Sequence, residues 1–359
     1  MEFFRETEVD SATRRRIAFP TWLPALVVTA AIAAAGFALG RSVPLFGPAV
    51  MAILLGMLAS TFWQPSRAFT HESAQLGHLS LKVAIVLLGA SVDLLYVARV
   101  AGGSLLVMLG TLTIGLFGIW QIGHLLGVQP RLRSLLTAGT TICGASAIAA
   151  VAPAVEAAPL DVGYAISVVF LFNIAAVIIF PAIGHLFHFS SQTFAVWAGT
   201  AVNDTSSVLA AGYAFGSGAA AYAAVVKLAR TVMILPVTLG LAMLASRWSE
   251  SSSSHGEIVA REKLAVVQAI RRSLPWFVVL FVIASAAYTV HLWPQAIAHD
   301  AAHAAQIGTV IALAAIGLST DVRQLVRAGH RPVLLGLCGW LLVAVTSLAL
   351  QGLAHMLSI

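Results

Sequence analysis

The chain has 359 residues, of which 59% are hydrophobic and only 9% charged, with a mean hydropathy of +0.93. A soluble domain carries about 25% charged residues, so a chain this poor in charge has no polar coat and is not an ordinary water-soluble enzyme or binding module. The formal net charge of +6 does not require nucleic acid, because the basic residues are distributed as a membrane topology would place them.

A helix needs about 20 apolar residues to cross the hydrocarbon core of a bilayer. After a short N-terminal tail, residues 1–20, containing Arg14, Arg15 and Arg16, the run 21–40 is too long for a signal-peptide core and is read as a retained first helix. In chain order the spans are predicted at 21–40, 44–63, 79–97, 101–126, 134–155, 162–187, 191–213, 217–246, 274–293, 304–322 and 332–357. The expected architecture is an all-α polytopic membrane protein: spans one to eight over 21–246, a cytoplasmic linker over 247–273, and spans nine to eleven over 274–359. The linker carries Ser251 to Ser254 and mixed charges.

Positive charge in short loops and at span ends marks the cytoplasmic side. With the N-terminus inside, sixteen of the 20 Lys and Arg residues fall on the cytoplasmic side. Arg41 and Arg99 fall outside, and Lys227 and Arg230 lie within span eight. One missed or extra span would scramble this asymmetry, so it supports eleven spans with the C-terminus outside.

Polar groups are costly in hydrocarbon, which makes intramembrane polar clusters candidate sites. The first is in span five: Thr137, Thr140, Thr141, Cys143, Gly144 and Ser146. Glycine and hydroxyls suit a broken helix whose N–H groups face an anion, although small residues also let helices pack closely. The second is Asn203, Asp204, Thr205, Ser206 and Ser207 in span seven. Its carboxylate suits a cation or a proton; the plainer reading is a capped helix break with an ion pair. The third is Lys227 and Arg230, three residues apart on one helix face, read as buried partners of Asp204 or of an anionic substrate, against simple snorkelling. Asn173 in span six is read as bonding across helices. Cys143 and Cys338 form no disulfide or metal framework. The segments 89–93 and 317–321 look alike and lie in oppositely oriented spans, which suits either an inverted repeat or chance.

The stretch Thr141 to Ala150, the Lys227-Leu228-Ala229-Arg230 segment and Ile316 to Asp321 resemble the signature segments of the YeiH-like sulfate exporters. The likeness covers roughly residues 40 to 355. That family is a remote relative of the cation:proton antiporter and bile-acid symporter superfamily. The resemblance implies two inverted five-helix repeats, about 44–187 and 191–357, plus one N-terminal helix. It also implies broken helices crossing in spans five and ten, with a second break near Gly317, Leu318 and Ser319. On that register the 89–93 match is chance. Where this chain has Asn203-Asp204, many members of that family have a His-Glu pair, while sodium:proton antiporters of the superfamily also have Asn-Asp; the coupling ion, proton or sodium, stays open.

The expected function is a secondary active transporter in a bacterial inner membrane that exports a small anion such as sulfate by alternating access. Its site is drawn from Thr141, Cys143, Gly144, Ser146, Asn203, Asp204, Thr205, Ser206, Lys227, Arg230 and Ser319. Sodium:proton antiport through Asn203-Asp204 is the alternative within transport, and an intramembrane enzyme or assembly factor the alternative outside it. No P-loop, H-E-x-x-H or G-x-S-x-G motif occurs, so no enzyme chemistry, metal or cofactor is expected. The partners are the solute and the lipid bilayer, with no nucleic acid; a homodimer is left open.

Overall fold

The computed structural model describes residues 22–42, 47–63, 65–153, 155–232, 276–320 and 330–357. Among them are thirteen helices and no strand. In chain order these are α1 (Trp22–Ser42), α2 (Gly47–Trp63), α3 (Arg67–Gly89), α4 (Leu94–Leu125), α5 (Pro130–Thr141), α6 (Ala145–Val151) and α7 (Pro159–Leu186). They continue as α8 (Ser191–Ala201), α9 (Thr205–Phe215), α10 (Ser217–Val232), α11 (Trp276–Thr289), α12 (Gln295–Ser319) and α13 (His330–Leu357). Five of them, α1, α4, α7, α12 and α13, are long and apolar enough to cross a membrane, and α2 and α11 are shorter apolar helices. The N-terminal tail, the linker 247–273, the second half of span eight and Asp321 lie outside the described residues.

The helices pack as two groups. In the first, α12 lies along α2 and α3, with α1 against α2 and α11 against α3. In the second, α13 packs on α4, α5, α7 and α8, and α10 lies against α8, α9 and α4. The two groups meet chiefly where α9 faces α2 and α12. That seam is built from small and aliphatic side chains, including Ala49, Val50, Ile53, Ala210, Ala214 and Leu313. Lipid chains are as apolar as leucine, so helices in a bilayer gain by close packing of small residues rather than by hydrophobic burial.

Two expectations need correction. Span three, expected at 79–97, is α3 plus the start of α4, and the chain turns at Ala90 to Asp93. The first half of α3 carries His71, Glu72, Gln75 and His78, so a hydropathy count misses it although it is helical. Asp93 caps α4, accepting from Leu95 N (2.7 Å) and Tyr96 N (3.1 Å). Residues near and beyond the end of α11 hold the turn. Ser285 Oγ donates to Val92 O at 2.5 Å and Trp293 Nε1 to Ala90 O at 3.0 Å, and Thr289 Oγ1 accepts from Leu94 N at 2.7 Å.

The second correction concerns the break expected at Gly317, Leu318 and Ser319. α12 runs unbroken through Gly317 and Leu318 and ends at Ser319. Gly317 is a packing glycine: a Cβ there would stand 2.5 Å from Ile53 O of α2, and one on Gly56 would stand 2.6 Å from Ala314 O. Among the described residues the second interrupted helix is α8–α9, in span seven. Ser319 Oγ bonds back to Ile316 O at 2.9 Å, and Ser60 of α2 donates to Thr320 O at 2.6 Å.

Replacing Gly317 by Ala forces α2 and α12 apart against backbone atoms. Overpacking of this kind costs about 1–3 kcal/mol, so Gly317→Ala should melt at a visibly lower temperature than the parent in detergent. A melting temperature equal to the parent's would show that the helices yield freely there.

Candidate functional site

The first break follows from one glycine. Ile142 leaves helical geometry (φ −105, ψ −83), and Gly144 takes φ +69, ψ −130, a left-handed backbone that costs glycine nothing and other residues strain. α5 therefore stops at Thr141 and α6 starts at Ala145. The break is where the sequence placed it.

The second break has no glycine and is held by side chains. Val202 (φ −91, ψ 132) and Asp204 (φ −97, ψ 141) are extended. Asp204 caps α9: its Oδ2 accepts from Ser207 N at 3.2 Å and from the Ser206 hydroxyl. Asn173 on α7 accepts from Asn203 N at 3.0 Å, so the expected bond across helices is made, and it is made to the break itself. The breaks are neighbours: a Cβ on Gly144 would lie 3.7 Å from Asn203 Cβ.

A helix end leaves its last carbonyls without partners, and lipid offers no water to satisfy them. Here α10 supplies the donors. Lys227 Nζ donates to Ile142 O at 3.1 Å and to Val202 O at 2.9 Å, joining the two breaks through one ammonium. Arg230 Nη2 donates to Thr141 O. Both side chains are fully buried, which excludes snorkelling for both. Close packing of α10 brings them there, since a Cβ on Gly199 of α8 would stand 2.7 Å from Val226 and one on Gly212 of α9 2.5 Å from Ala220.

The site is polar but incompletely paired. Buried atoms without a hydrogen-bond partner include Nε and Nη1 of Arg230, Oδ1 and Nδ2 of Asn203, and the hydroxyls of Thr141 and Thr137. Most buried polar groups are satisfied, and six of the unpartnered buried atoms belong to these four residues. Lys227, Arg230 and Asp204 all lie within electrostatic reach of Cys143. Lys227 and Arg230 bond to carbonyls instead of pairing with Asp204 as anticipated, and the Asp204 carboxylate is taken up by Ser206 and Ser207. Lys227, Arg230 and Asp204 give the two neighbouring breaks a formal charge of +1.

Thr141, Cys143, Gly144, Asn203, Asp204, Ser206, Lys227 and Arg230 come together at the two neighbouring breaks. Thr205 is the half-buried first residue of α9, Ser146 sits on the exposed face of α6, and Ser319 belongs to the end of α12. Close by, Thr200 is buried and bonded to Ser347 of α13 at 2.7 Å; isolated hydroxyls in apolar runs gave no sequence signal for that pair. His124, at the end of α4, bonds elsewhere. Its Nδ1 lies 3.1 Å from Nη1 of Arg133, which stands ten residues before Cys143 and so about 15 Å away at helical rise. Two surface grooves, one lined by Leu105, Leu106, Leu109 and Leu350 and one by Val27, Leu58 and Phe62, are apolar and separate from the crossing.

The family model described as conserved hypothetical protein 698 matches residues 24–336. The chain belongs to this family of membrane proteins. A UPF0324 membrane protein of Streptococcus pyogenes serotype M3 is 36% identical over 337 residues, covering 92% of this chain and 96% of the relative. UPF0324 membrane proteins of Clostridium tetani (34% over 337 residues; 91% and 95%) and Fusobacterium nucleatum (32% over 333 residues; 87% and 92%) are also similar. No solved structure matches. The UPF0324 relatives are named membrane proteins over nearly their full length, in agreement with the long apolar helices of this one.

Gly144→Ala should strain the first break by about 1–3 kcal/mol, because the penalty is conformational; the nearest atom to a new Cβ is an unstrained 3.6 Å away. Asn173→Ala should cost a comparable amount, about 1–3 kcal/mol, by orphaning the buried Asn203 N–H. Thermal unfolding of the purified variants checks both, and a parent-like melting point for Asn173→Ala would remove Asn173 from the support of the second break.

Proposed function

We propose that this UPF0324 protein is a secondary active transporter that carries a small inorganic anion, sulfate being the first candidate, out of a bacterial cell across the plasma membrane. The observation that carries the reading is Arg230: fully buried, with Nε and Nη1 unpartnered, beside a second buried cation and no carboxylate paired to either. A buried charge without a partner costs several kcal/mol, and an anion bound at the crossing would offset that cost. The Asn203 amide and Thr141 hydroxyl supply further donors. The formal balance of +1 matches a monovalent anion directly. A divalent anion is matched once Asp204 is protonated, which ties one proton to one sulfate.

The resemblance to the YeiH-like exporters points the same way. The eleven-span, N-inside topology with inverted repeats belongs to this reading, and the smooth seam of alanines and aliphatic side chains between the two helix groups suits movement of one against the other. A midplane site between interrupted helices is the usual arrangement in such transporters.

Sodium:proton antiport is the second reading. The lack of an ion-pair partner for Asp204 among the described residues favours it, and two fixed cations beside the carboxylate oppose it. For the intramembrane-enzyme reading, His124 is bonded to Arg133 near the start of α5, about 15 Å along the helix from Cys143.

In proteoliposomes, radiolabelled sulfate should show saturable flux that is accelerated by a proton gradient. Arg230→Met should lower that flux at least about tenfold, the equivalent of losing one charge-assisted hydrogen bond. Asp204→Asn should keep flux and lose its dependence on the proton gradient. Absence of saturable flux for sulfate and other small inorganic anions, together with sodium-driven dequenching of a trapped pH dye, would replace this reading with the antiporter.

A further inference from the structure

We infer that the Lys227 ammonium is a tethered cation occupying the position where a transporter of this construction would hold a coupling metal ion, so that the protein works without sodium.

The argument starts from the electrostatics of the two breaks. Each helix C-terminus carries about half a negative charge. α5 and α8 both end at the crossing, and their last free carbonyls, Ile142 O and Val202 O, converge on one point. Together they present roughly one negative charge in a fully buried place. In transporters with discontinuous helices, such unwound carbonyls and half-helix C-termini coordinate sodium. Here the same two carbonyls are 3.1 and 2.9 Å from Lys227 Nζ. The ammonium is a compact unit charge that can donate in several directions, and it matches the charge the two ends present.

The surroundings agree. Asp204, the remaining carboxylate of the site, is within electrostatic reach of Lys227 but is bonded to the N-terminus of α9 instead. Its Oδ2 is thereby turned to the first turn of α9 rather than to the two carbonyls. No group of three or more His, Cys, Asp or Glu side chains placed to hold a metal ion occurs among the described residues. Lys227 cannot leave with the solute, so the charge it contributes stays with the protein through the cycle. Arg230 keeps its unpartnered Nε and Nη1 for a ligand, which gives the two basic residues separate tasks: Lys227 holds the breaks together and Arg230 faces the solute.

Melting of the purified full-length protein in detergent tests the lysine's role without any transport assay. At constant ionic strength the wild type should melt within about 1 °C in choline, sodium or methylammonium chloride, since a site already filled gains nothing by mass action. Lys227→Ala should melt lower by about 5 °C or more in choline and recover at least half of the loss in sodium or methylammonium chloride, whose cations fit the vacated position. Gly317→Ala, destabilised elsewhere, should not recover and so controls for general salt effects. A sodium-specific rise in the wild type, or no recovery of Lys227→Ala in any small cation, overturns the inference. Should the alanine variant be lost from membranes, Lys227→Gln is titrated in the same way and its failure to recover has the same force.

The transport arm rests on the proposed function. Wild-type anion flux should be equal in sodium and choline media, and flux through Lys227→Ala should require an added small cation. If the wild type moves no anion, the proposed function fails while the melting experiment still decides the place of Lys227. If the wild type moves the anion only with sodium, the proposed function stands and the tethered-cation inference falls.

Discussion

A backbone carbonyl freed inside hydrocarbon must find a donor within the protein, and this requirement organises the centre of the molecule. Two helices stop part-way, at Thr141 and at Ala201, and resume at Ala145 and Thr205. Their loose ends would be prohibitive in lipid but for α10, which brings Lys227 to Ile142 O and Val202 O and Arg230 to Thr141 O. The two interruptions are thus one structure: a single ammonium spans both, and neither end is satisfied without it. Burying two cations is costly in turn, and the carbonyl ends that need donors are what make the burial tolerable. Each half of this arrangement compensates for the other.

The rest of the fold places that centre. α10 reaches the crossing because glycines in α8 and α9 let it approach within backbone distance. α7 contributes Asn173, which holds the second break by its backbone N–H. α13 closes the far side through Trp197 Nε1 bonded to Ala344 O at 3.0 Å and Thr200 bonded to Ser347. The other group of helices, α1, α2, α3, α11 and α12, touches the broken helices chiefly along α9 and through apolar atoms. The polar machinery and the apolar seam are therefore separate, and relative motion of the two groups would leave the hydrogen bonds of the crossing intact.

Much of the site was legible in the residues. Glycine beside hydroxyls predicted the interruption at Gly144, because glycine alone enters the left-handed region without strain and hydroxyls can satisfy the backbone groups that a break frees. Asn203-Asp204 was legible as a polar cluster, and Lys227 with Arg230 as buried, since the largely apolar run 231–245 follows them. The partners were not. Lys227 faces backbone carbonyls, and a carbonyl has no sequence signature, so neither of the partners expected for it, Asp204 or an anionic substrate, named them. The second break was expected near Gly317 because the resemblance pairs spans five and ten; Gly317 lies inside α12, where it serves close approach to α2, and the second break among the described residues is held by Asp204 and Asn173 without glycine.

Composition alone made this a membrane protein, since 9% charged residues cannot cover a surface in water, and spacing alone put the cations and the carboxylate in the interior. Local sequence also decided the Gly144 break, because backbone strain is a property of the residue itself. Tertiary structure decided which helix is the second to break, where α3 turns into α4, and that one lysine joins both interruptions. These depend on which backbone atoms meet across helices far apart in the chain, and the linear order of side chains does not carry that information.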